Sequence, residues 1–115
     1  MSTRSESIYL QDIITSFERI SHYVTEMSFD EFFSDAKTID AVIRNIIVIG
    51  EAVNRLPESL INAHPDLPWH AMRGLRNVVV HEYSRIDLYD LWDTVHVDLP
   101  AILPVIKNLA DDLLL

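Results

Sequence analysis

A chain of 115 residues has room for one domain built on a single core, and is too short for two independent ones. With 49% apolar residues, only two glycines and no cysteine, it favours helices over many short strands. That composition also excludes disulfides and thiolate metal sites, so a reducing compartment is the default. The net charge of −9 argues against broad adhesion to nucleic acid, DNA included. No run approaches the roughly 18 apolar residues of a membrane span, and the opening MSTRSESIYL lacks the basic-then-apolar order of a signal peptide, so the expectation is a cytoplasmic protein with no membrane partner.

In chain order, Leu10, Ile13, Ile14, Phe17, Ile20 and Val24 recur at steps of three and four and predict a first amphipathic helix from Ser5 to about Val24. Ser28 and Glu31 have capping-box spacing, which predicts a short helix carrying Phe29, Phe32 and Phe33 inward. A third helix is expected from Ile39 to Leu56 on the stripe Ile39, Val42, Ile43, Ile46, Val53 and Leu56, with Pro57 forbidding continuation. Gly50 in its middle is unfavourable by about 1 kcal/mol relative to alanine, and a close helix crossing would explain it. Residues 57–68 hold three prolines and read as a connector with one helical turn. Pro68 suits the first position of the next helix, Trp69 to about His81. A last long helix begins at Asp87 as N-cap, with Ile86 and Leu91 as a hydrophobic staple, and should bend or divide at Pro100 and Pro104. The sum is an all-α antiparallel bundle of four to five helices, one domain over residues 1–115.

The helix from Trp69 to His81 carries the chemistry. Between Pro68 and Ile86 lie Arg73, Arg76 and Arg85 against one acid, Glu82. This segment is therefore +2 within a chain of −9 and leaves −11 elsewhere. At about 100° per residue, Met72, Leu75, Val78 and Val79 fall on one half of the helix, the expected core side. Arg76, Arg73, Asn77, His70 and His81 gather on the other half, with Val80 among them as if a partner covered it. An imidazole can take a proton from a 2′-hydroxyl or protonate a leaving oxygen near neutral pH. A guanidinium offers paired donors to a developing phosphorane oxyanion. The segment has a single carboxylate and the five histidines have no ligand spacing, so the expected chemistry uses no metal and no cofactor. By themselves these residues favour a structural role: His81 serving the helix dipole, Arg76 paired with an acid such as Glu51 or Asp87.

The run Met72 to Tyr83, MRGLRNVVVHEY, contains Arg76-x4-His81-x-Tyr83 and resembles the R-x4-H-x-Y form of the HEPN-domain ribonuclease toxins of the HepT type. The segment IGEAVNRLP, Ile49 to Pro57, resembles the end of the preceding helix in that family, and the similarity extends over essentially the whole chain. The resemblance implies a homodimer in which two motifs face one another across a cleft as one composite, metal-independent RNase site. It implies catalytic roles for Arg76 and His81, with Asn77 and Arg73 as supporting polar residues on RNA. It further implies that Tyr83 is the acceptor on which a cognate MntA-type nucleotidyltransferase antitoxin places AMP, in a hetero-oligomer of unspecified stoichiometry. An adenylate there would set anionic phosphate beside Arg76. Two other readings stay open from the residues alone: a noncatalytic helical adaptor that binds the nucleotidyltransferase, and a purely structural dimerisation bundle.

Overall fold

A computed structural model describes the main chain of residues 3–81 and 85–114, and the side chains of residues 5–81 and 85–113. The described residues form helices and turns without strands: α1 (Thr3–Val24), α2 (Phe29–Phe33), α3 (Ala36–Arg55), α4 (Glu58–Ala63), α5 (Trp69–His81), α6 (Leu88–Asp93), a π-helical stretch (Thr94–Asp98) and α7 (Leu99–Leu114). Because α6, the π stretch and α7 follow one another without a break, the bundle consists of six rods, more than the four to five expected.

Helix α3 is the centre of the assembly, packing against α1 on one side and α5 on the other, while α1 also meets α7. Its stripe is wider than periodicity alone suggested. Val42, Ile43, Ile46 and Val53 are buried as expected and Ile49 and Ala52 join them, whereas Ile39 is only half-buried. From α1, Leu10, Ile13, Phe17 and Ile20 meet this face with 1% exposure or less. Burial of each such side chain contributes about 1.5–3 kcal/mol, so the α1–α3 pair supplies much of the apolar stabilisation. Among the described residues, no helix is long and apolar enough to cross a membrane.

Local signals set the helix ends. The Ser28–Glu31 capping box forms in both directions, at 3.0 and 3.1 Å, and its bonds to Ser28 hold the Glu31 carboxyl below its ordinary range. Asp35 caps α3 through the amide and hydroxyl of Thr38, which lower its pKa likewise. Asp87 caps α6 by accepting from the amides of Tyr89 and Asp90. Helix α2, however, does not turn all its rings inward. Phe32 is buried and Phe29 half-buried, but Phe33 is 57% exposed: the three share one face, yet Trp92 packs on Phe29 and Phe32 while Phe33 lies at the edge against the Phe29 ring.

The prolines of the last rod act differently from expectation. The helix widens at 94–98, ahead of Pro100, and Pro104 sits inside a continuous α7. Pro100 has no N–H for the carbonyl of His96 and its ring would crowd that carbonyl. The wider turn, with the Leu99 amide donating to the Thr94 carbonyl, accommodates both.

Candidate active site

Helix α5 is anchored at its start by Trp69, 4% exposed, whose indole Nε1–H donates to the His64 carbonyl at 3.0 Å. That bond ties the C-cap of α4, the six-residue helix within the 57–68 connector, to the beginning of α5. Pro68 precedes the helix instead of opening it, and its carbonyl accepts from the Met72 amide. From this anchor the residues that face α3 follow at steps of three and four: Trp69, Met72, Arg76 and Val79.

Arg76 thus lies within the packed stripe, not on the opposite half with the polar residues. The halves drawn from the sequence are rotated from the true ones, because the stripe is centred between Met72 and Trp69. Val78, expected in the core, is accordingly 44% exposed and Leu75 only half-buried. An arginine can occupy such a position because Gly50 faces it. A Cβ at Gly50 would collide with Cβ of Arg76 and stand 2.5 Å from its Cγ. The close crossing suspected from Gly50 is therefore the crossing of α3 over the stem of Arg76.

The guanidinium emerges at the edge of this seam. Its Nε–H and Nη2–H both donate to Oε1 of Glu51, at 2.9 and 2.5 Å, and its Nη1–H donates to Oδ1 of Asn77 at 3.1 Å. These bonds use three of the five N–H groups of a guanidinium. With the Arg76 side chain 25% exposed and that of Glu51 43% exposed, the pair is reached by solvent. Its contribution to stability is at most about 1 kcal/mol, so its larger effect is to fix where the guanidinium points.

The other candidates are dispersed around α5. Arg73 leans toward α4, where Nη2 meets Oε1 of Glu58 at 3.3 Å; Glu58 is 71% exposed, and so open and single a contact is readily given up. Asn77 is exposed and joined to Arg76. His81 is exposed at the last position of α5, about 140° around the helix from Arg76. Among the described residues the two share no hydrogen bond within one chain. Val80 is 39% exposed beside them. Tyr83 and Glu82 lie outside the described residues. Glu51 and Gly50 were not among the candidate site residues. Glu51 was visible only as one possible partner of Arg76, and the signal for Gly50 was its cost in mid-helix.

The family model described as "Ribonuclease HepT-like" matches residues 13–109, a span that includes Gly50, Glu51, Arg76 and His81. A candidate RNase of Methanocaldococcus jannaschii is 38% identical over 113 residues, covering 98% of this chain and 93% of its own length. A protein of Thermococcus cleftensis named "Probable ribonuclease HepT" is 38% identical over 99 residues, or 86% of this chain and 90% of the relative. A candidate RNase of Caldanaerobacter subterraneus is 30% identical over 101 residues, 88% of this chain and 90% of its own. No solved structure matches the chain. The helical bundle, the arginine at the α3–α5 seam and relatives matched over nearly their full length agree: this chain belongs to the HepT-like ribonuclease family.

Proposed function

We propose that this protein is a metal-independent ribonuclease toxin whose site is completed by a second copy of the chain. The observation that carries the reading is Arg76, a permanently charged side chain placed in an apolar packing stripe with terminal N–H groups left over for a phosphate. In this mechanism Arg76 holds the scissile phosphate and stabilises the oxyanion that develops on it. His81 serves as the acid or base toward the 2′-hydroxyl and the leaving 5′-oxygen. Asn77 supports Arg76, and Arg73, once released from Glu58, adds a contact to the RNA backbone.

Two observations support the composite site. Arg76 and His81 diverge by about 140° on one helix, so one chain does not readily aim both at one phosphate. Val78 and Val80 stand exposed between polar neighbours, at 44% and 39%, as residues awaiting cover do. Purified protein should therefore have twice its 13.2 kDa mass or a multiple of it. It should cut mixed-sequence RNA in the presence of EDTA, leaving 2′,3′-cyclic phosphate ends. A monomer at micromolar concentration, or activity lost in chelator and restored by magnesium, would overturn the mechanism.

Regulation follows the family expectation: an MntA-type nucleotidyltransferase adenylates Tyr83 and blocks the site by charge and bulk. Tyr83→Phe keeps the ring and removes the acceptor oxygen, so it should retain RNase activity and escape the antitoxin. Mass spectrometry after incubation with antitoxin and ATP checks this, with Tyr9, Tyr23 and Tyr89 as controls. An adenylate on any of those, or full neutralisation of Tyr83→Phe, would reassign the acceptor.

A further inference from the structure

Arg76 is held from two points, and both belong to consecutive residues of α3. Gly50 lies beneath the Cβ and Cγ of its stem, where no other residue leaves room. One turn of backbone is not needed to reach the second point, since Glu51 follows directly and its Oε1 receives the Nε and Nη2 donors. Asn77 then takes one donor of Nη1. What these contacts leave is one N–H on each terminal nitrogen, a pair on the two atoms best placed to reach a phosphate from the seam. Packing requires Gly50 only because the stem of Arg76 stands against it, and a solvent-reached ion pair adds little stability, so folding energetics alone leave Glu51 unexplained.

We propose that Gly50 and Glu51 form a seat in α3 that positions Arg76, with Gly50 setting the depth of its stem and Glu51 the orientation of its guanidinium toward the RNA phosphate. Both are positioning residues, and the proposal rests on the ribonuclease reading above. Losing the seat frees the guanidinium to swing, which lowers the chemical step while the charge that attracts RNA remains. Removing Glu51 also removes a negative charge beside the phosphate path, so binding should not weaken.

The test is a set of variants, Glu51→Ala, Glu51→Gln and Gly50→Ala, each checked for helical circular dichroism and oligomer mass. On mixed-sequence RNA, Glu51→Ala should lose about tenfold or more in kcat with KM unchanged or lower, and Glu51→Gln should recover part of the loss because its amide oxygen still accepts a hydrogen bond. A folded Gly50→Ala should lose kcat similarly. In nitrogen-15 NMR, the Arg76 Nε–H signal should be slow to exchange in the native protein and fast in Glu51→Ala. Native kcat in folded Glu51→Ala, a rise in kcat, or an Nε–H signal unchanged by the substitution would each overturn the seat. The NMR signal does not depend on cleavage. If the native protein cuts no RNA, that result strikes the ribonuclease reading, while the seat still stands or falls on the Nε–H signal and on its response to a fully 2′-O-methylated RNA.

Discussion

The two faces of α5 obey different rules. On the seam side, Trp69, Met72, Arg76 and Val79 lie against α3, and a single methyl group added at Gly50 would collide with the stem of Arg76. On the open side, Gly74, Asn77, Val78 and His81 meet no such limit, and a Cβ at Gly74 would find nothing within 4 Å. The protein's two glycines therefore have opposite meanings. One is a requirement of packing around the stem of Arg76, and the other is a weak point in a helix. The difference also divides the proposed chemistry, since the proposed phosphate-binding group is rooted in the α3–α5 seam and the proposed proton-transfer group stands on the surface.

Substitutions on the two faces should differ in size and sign. The largest effect should come from Trp69→Ala on the seam side, which empties a large buried site and leaves the His64 carbonyl with the Leu67 amide as its remaining donor; it should cost about 3–5 kcal/mol. Urea unfolding measures this, and a loss below about 1 kcal/mol would mean that α5 is not anchored there. Next in size is the glycine pair. Gly50→Ala should destabilise by about 1–3 kcal/mol through overpacking, whereas Gly74→Ala should stabilise by up to about 1 kcal/mol through helix propensity and leave RNA cleavage unchanged. Equal effects at the two positions would erase the distinction between the faces.

How far the sequence reveals this arrangement depends on which interactions decide each element. Caps and periodicity are local, so Ser28–Glu31, Asp87, the stripe of α1 and the start of α5 are all legible. The rotation of α5 was not, because it is decided by what α3 offers: a slot without a side chain at Gly50 and a carboxylate at Glu51 accept an arginine where a wheel of one helix expects an apolar residue. The same limit explains Phe33, which its contact with Phe29 leaves 57% exposed, and the widened turn at 94–98, where the backbone adapted to Pro100 instead of breaking. The family, by contrast, was legible from the Arg76-x4-His81 spacing taken with the segment that contains Gly50 and Glu51. Those two stretches meet in space at the seam.

The central claim is that Arg76 and His81 perform one reaction from these two different faces. Arg76→Ala and His81→Ala, each purified as a folded oligomer of native mass, should be assayed on mixed-sequence RNA in EDTA beside the native protein. The native protein should cleave, Arg76→Ala should lose about 10²–10³ in rate as a removed oxyanion donor, and His81→Ala about 10²–10⁴ as a removed acid or base. Native rates in both folded variants would contradict that claim.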